Sequence, residues 1–260
     1  DEVSSAETDE RKNMIESQLP LGYAPEGETD EERGISRARD ISHIINSFIK
    51  EYINLKIKSD SGLGSGSFLE PQTMYSVLSK EMDHWRDTKG KESIFSSDTK
   101  QNPYKLAGAF RLANANRVTR SLSTKMGGLW EHLAQLSPYA INPEIEFGGL
   151  KIQGVDLVVL NYNTGKLEPI QLKTKRDTLT GSQAPRSKTE LGIHENPVFC
   201  AAFDLGPWNF NSPEIPRAAG AEFWLRIGID YDLFERLTIK MIKELEDIFA
   251  QYDPTSVSER

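Results

Sequence analysis

The stretch GVDLVVLNYNTGKLEPIQLKTKR, residues 154–176, holds two apolar runs on either side of Asn163-Thr164-Gly165-Lys166. Short runs of Val, Leu and Ile suit strands, and Asn and Gly supply the backbone conformations of a tight turn. The spacing predicts two strands, 154–161 and 168–174, joined as a hairpin. Asp156 sits early in the first strand. Gln171 and Lys173 lie two apart on the second, so they share a face. The hairpin can set Asp156 beside them. One carboxylate, one amide oxygen and one ammonium then converge at a sheet edge.

Working outward, residues 196–204 and 223–229 read as further strands, rich in Val, Phe, Ala, Trp and Ile. Pro207, Pro213 and Pro216 mark the segment between them as loop. The chain closes with a helix over 231–252, whose apolar face is Leu233, Leu237, Met241, Ile242, Leu245 and Ile248. Upstream, 144–147 reads as a strand. A helical region over 104–136 ends at Pro138, with a break near 121–125. Residues 71–85 read as a helix. So do residues 36–57, where Ile41, Ile44, Ile45, Phe48, Ile49, Tyr52 and Ile53 recur at helical spacing and Ser36 is the candidate N-cap. The glycines of SDSGLGSGS, residues 59–67, mark a loop. No Gly-Lys-Ser/Thr follows, so a phosphate loop does not fit.

This order predicts an α/β protein: a mixed β-sheet flanked by helices, with an N-terminal helical extension. The domain reading is a weakly ordered acidic arm over 1–34, a helical extension over 35–115, a core over 116–252 and a tail over 253–260. Met14 to Leu21 is the part of the arm able to dock. The extension is the candidate for dimerisation or DNA contact.

No apolar run is long enough for a membrane span. The acidic N-terminus does not read as a signal peptide, and the expected location is cytoplasmic. One cysteine, Cys200, excludes an internal disulfide or a multi-cysteine zinc site, and its apolar run suits a buried, inert thiol. The formal net charge is −8, but residues 100–188 hold 13 bases against 6 acids. Such a local basic segment bears more on phosphate binding than the whole-chain total does.

Phosphodiester hydrolysis calls for this set of groups. Carboxylate and neutral oxygens hold a hard Mg²⁺ ion, which polarises the phosphate and lowers the pKa of a bound water. A lysine can position that water and stabilise charge on the transition state.

Here the chain resembles the PD-(D/E)xK nuclease superfamily, whose signature is a strand bearing an acid, a turn, and a strand bearing acid-x-Lys. The match is Gly154-Val155-Asp156, then Gln171-Leu172-Lys173. Gly127-Gly128-Leu129-Trp130-Glu131 fits the place of the family's helix glutamate. The stretch from Asn116 to Lys125 resembles the lead-in of several type II restriction enzymes. The resemblance spans roughly residues 117–250 and departs at two points: Val155 replaces the proline, and Gln171 stands where an acid is usual. It implies a restriction-endonuclease-like core and a Mg²⁺-dependent (or Mn²⁺-dependent) type II endonuclease acting on double-stranded DNA. Asp156, Gln171, Lys173 and Glu131 would be catalytic, with Asp156, Gln171 and Glu131 as metal ligands. A palindromic target implies a homodimer. A cognate methyltransferase would act on the same site without binding the enzyme. DNA contacts are expected from Arg117, Arg120, Lys125, Lys175, Arg176, Arg186 and Lys188, the last three in or beside a loop over 176–188. The alternatives are a structure-directed repair or recombination nuclease of the same fold, an inactive DNA-binding protein that Gln171 favours, and an acidic interaction protein that the basic segment disfavours.

Overall fold

In the hairpin, β2 (Leu157–Leu160) pairs antiparallel with β3 (Leu167–Lys175), in the register Leu157 to Ile170 and Leu160 to Leu167. Asn161 shapes the turn: its Oδ1 accepts the N–H groups of Asn163 and Thr164 at 3.0 and 3.2 Å. Gly165 takes φ 64°, a left-handed conformation that glycine adopts without penalty. The computed structural model describes residues 6–60, 71–89 and 103–251.

The hairpin is the centre of a five-stranded mixed sheet of order β1-β2-β3-β4-β5. The short β1 (Ala140–Ile141) is antiparallel to β2. β4 (Val198–Phe203) runs parallel to β3, and β5 (Arg217–Ala219) parallel to β4. Every residue of β4 is buried, as expected of a parallel strand covered on both faces. The α/β class and the helix-flanked mixed sheet therefore stand as expected.

The chain divides into two compact units, residues 1–69 with 129–231, and residues 70–128 with 232–260. The first contains the sheet, α1 (Thr8–Glu16) and α2 (Asp30–Asp60). Ile41, Ile45, Ile49 and Ile53 of α2 form one core cluster with Ile141, Phe147, Val158 and Leu160. Val158 and Leu160, two apart on β2, share that face. Each buried isoleucine contributes about 2 kcal/mol. Ile15 of α1 is fully buried in the same cluster, so residues 8–16 form an ordered helix where composition pointed to a loose arm.

α2 begins earlier than its apolar spacing predicts. Thr29 Oγ1 accepts the Glu32 N–H at 3.2 Å, and the Glu32 carboxylate accepts the Thr29 N–H at 3.1 Å. This reciprocal capping box displaces Ser36 as the N-cap. Ser36 lies inside the helix, its Oγ accepting the Glu26 N–H at 3.0 Å.

Two expected strands are helices. Residues 143–146 form α6 (Pro143–Glu146), because Asn142 Oδ1 caps the N–H groups of Glu144 and Ile145 and Pro143 opens the first turn. Residues 221–226 form α8 (Ala221–Arg226) after Gly220 at φ 53°. Trp224 Nε1 of α8 donates to the Ala202 carbonyl at 2.8 Å, and Arg226 pairs with buried Glu168 at 2.8 Å. Short apolar runs do not separate strand from helix by periodicity, and here capping and packing settle the choice. Residues 183–191, expected as loop, form α7 (Gln183–Leu191).

The second unit takes α3 (Pro71–Lys89), α4 (Pro103–Leu106), the first part of α5 (Phe110–Ala134) and most of α9 (Tyr231–Gln251). α5 runs unbroken through 121–125. There Ser123 and Thr124 donate their hydroxyls back to the Thr119 and Arg120 carbonyls, at 2.9 and 3.1 Å. On α9 the buried positions are Phe234, Thr238, Met241 and Leu245, whereas Ile242 is exposed. Tyr252, the expected tail over 253–260 and the side chain of Ile248 lie outside the described residues. Among the described residues no helix is long and apolar enough to cross a membrane.

Candidate active site

β3 extends past the start of β2, so on that side its Gln171–Lys173 end faces the segment leading into β2, while its other side pairs with β4. Asp156 fills that place. Its Oδ2 accepts the backbone N–H of Leu172 at 2.8 Å and lies 3.5 Å from Lys173 Nζ. Its own N–H donates to the Ile170 carbonyl at 2.8 Å. Gln171 is buried, and its Oε1 has no hydrogen-bond partner among the described residues. A buried unsatisfied amide oxygen costs about 1–3 kcal/mol, so it marks a position built for another contact.

Glu131 reaches the site from the last turns of α5, within the first unit. Burial pushes its carboxyl up to about 7, the charge of Asp156 adds to this, and Lys173 opposes it. Asp156 is also pushed up, chiefly by burial and further by Glu190. Lys173 and the Leu172 N–H act the other way. Desolvation and like charge both penalise the ionised forms. One lysine therefore faces two desolvated carboxylates, and Gln171 lines the same cleft as both acids.

A cleft of about 330 Å³ opens here, lined among others by Glu131, Gln153, Asp156, Gln171, Arg186 and Glu190. Lys173 touches Asp156 but is not part of the lining. Glu190 on α7 is buried. Its Oε1 accepts from Gln153 Nε2 at 2.5 Å and from Arg186 Nε at 2.8 Å. Gly154 makes the close approach of α7 possible, since a Cβ there would come within 2.5 Å of Glu190 Cβ. Glu190, Gln153 and Lys151 are among the cleft residues that sequence alone does not single out. The signal was present in the four-residue spacing of Arg186 and Glu190, but it carries meaning only once the segment is a helix.

The residues expected to contact DNA divide. Arg186 lines the cleft. Lys175 pairs with Asp177 at 3.0 Å and Arg176 with Asp204 at 2.8 Å, so both are engaged within the protein. Lys188 is exposed on α7. Arg117, Arg120 and Lys125 lie on the part of α5 that belongs to the second unit. Arg120 and Lys125 are exposed, and the side chain of Arg117 lies outside the described residues. His132 is exposed. His194 is buried with Nε2 3.2 Å from the Gln153 carbonyl, and burial lowers its pKa. Cys200 is buried, and burial pushes its thiol up, as an inert position requires.

Among the described residues no three His, Cys, Asp or Glu side chains stand together as a metal-binding group. Asp156, Glu131 and Gln171 bring two carboxylates and one amide oxygen to this cleft. A hard divalent cation accepts that mixture, because neutral oxygens and water can complete a shell begun by carboxylates. Compared with known proteins, the chain matches no family model, and none of the curated proteins is a significant match.

Proposed function

We propose that the chain is a metal-dependent phosphodiesterase acting on nucleic acid. More particularly, it is a type II restriction endonuclease of the PD-(D/E)xK kind, cutting double-stranded DNA as a homodimer with Mg²⁺, which Mn²⁺ can replace. One observation carries this reading: Lys173 Nζ stands 3.5 Å from Asp156 Oδ2, and the buried Gln171 in the same cleft as Asp156 has an Oε1 without a partner among the described residues.

Asp156 and Glu131 would hold the cation through carboxylate oxygens, and Gln171 through Oε1. When bound, the cation supplies a polarised phosphate and a water of lowered pKa. Lys173, beside Asp156, positions the attacking water and offers an N–H to the phosphoryl oxygen as negative charge builds there. The Leu172 N–H fixes Asp156, so these groups meet without rearrangement.

The second reading, an inactive DNA-binding protein, draws on the neutral Gln171 standing where an acid is usual. The deciding experiment incubates the purified protein with long duplex DNA, in Mg²⁺ and in EDTA. Discrete fragments that need the metal are the expected result. A metal-dependent smear favours a structure-directed or nonspecific nuclease, and intact DNA in both Mg²⁺ and Mn²⁺ favours the inactive binder.

A further inference from the structure

The cleft holds more acid than its reaction needs, and a phosphate entering it must meet positive charge. Two cationic side chains line it, Arg186 and Lys151. Lys151 is exposed and makes no ion pair among the described residues. Arg186 is different, because its Nε is held by the buried Glu190 at 2.8 Å, and Gln153 fixes Glu190 in turn at 2.5 Å. Among the described residues, Nη1 and Nη2 of Arg186 make no hydrogen bond. The guanidinium is therefore oriented on one edge and open on the other, and its side chain remains about half exposed. A planar fork so placed suits two phosphoryl oxygens. Among the described residues the one other anion on it is Glu31, at the start of α2, 3.2 Å from Nε and itself half exposed.

We propose that Arg186 is the phosphate anchor of this cleft, oriented by Glu190, and that Glu31, paired at Nε, competes by its charge with the phosphate of a nucleic acid for the same guanidinium. This rests on the phosphodiesterase reading for its ligand but not for its geometry. Glu190 is a positioning residue: it touches Arg186 and not the phosphate.

The test uses the full chain and a fluorescein-labelled duplex of about 30 base pairs. Anisotropy is followed against salt concentration, once in EDTA and once in Ca²⁺. Arg186→Ala is expected to weaken binding about tenfold, as loss of a charged hydrogen-bonding group does. It should also reduce the salt slope by about 1, the loss of one phosphate contact. Arg186→Lys should restore the slope but not the affinity, because an ammonium keeps the charge and loses the fork. Glu31→Gln should tighten binding by up to about fivefold, the most that an exposed ion pair withholds. Unchanged affinity and slope in Arg186→Ala, with its melting temperature intact, would overturn the anchor. Unchanged affinity in Glu31→Gln would overturn the competition. If Arg186→Ala weakens binding while the wild-type protein cuts no DNA in Mg²⁺, the anchor stands and the hydrolytic reading falls. A wild-type protein that binds no duplex overturns both.

Discussion

Asp156 Oδ2 accepts the backbone N–H of Leu172 at 2.8 Å, so one carboxylate both closes the open end of the hairpin and faces the Lys173 ammonium. Structure and chemistry converge on the same oxygen, and substitutions can separate them.

Asp156→Asn keeps an acceptor for the Leu172 N–H but removes the charge. The expected result is loss of at least about 10²-fold in Mg²⁺-dependent cleavage. Its melting temperature should equal or exceed that of the wild type, because a desolvated charge has been removed. Lys173→Ala should lose cleavage to the same degree with the fold intact. A cleavage assay and a thermal melt on each variant check both, and near-normal cleavage in either would remove the site assignment.

Glu131 links stability to pH. Its folded pKa of about 7 lies above the ordinary 4.5, so the folded state binds the proton more tightly than the unfolded chain does. The stabilisation is complete below the ordinary value and is lost as pH rises through about 7. The wild-type protein should therefore lose on the order of 1–2 kcal/mol between pH 5 and 8 relative to Glu131→Gln, measured without divalent metal. Urea melts at the two pH values check it, and parallel pH profiles would contradict the burial of this carboxyl.

Gln171→Glu adds a third acid beside Asp156 and Glu131. Without metal, like-charge crowding should lower the melting temperature by several degrees, roughly 1–2 kcal/mol. Mg²⁺ should then raise it by more than in the wild type, since a carboxylate binds a hard cation better than an amide does. Thermal melts across a Mg²⁺ titration read both effects. Equal metal responses would place Gln171 outside the cation site.

Gly154→Ala should destabilise the fold by about 2–4 kcal/mol, combining left-handed backbone strain with overpacking. The residue holds φ 77°, and its Cβ would meet Glu190 Cβ at 2.5 Å. A urea melt gives the loss. A loss below about 0.5 kcal/mol, the level of an ordinary surface change, would show that α7 does not press on this turn.

The hairpin and its three chemical groups were legible in the linear order of residues. Alternating strand positions put Gln171 and Lys173 on one face, and Asn and Gly close the turn; both are local backbone properties that neighbouring residues set. The isoleucine stripe of α2 was legible for the same reason. Residues 143–146 and 221–226 were not, because a few apolar residues fit either backbone until a cap or a packed tryptophan chooses. Arg186, Glu190 and Gln153 meet across 37 residues of chain, between Gln153 and Glu190, and no local pattern encodes that contact. Burial then shifts the carboxyl groups of Glu131 and Asp156. Desolvation depends on what the fold stacks around a side chain, and that is a property of packing rather than of residue type.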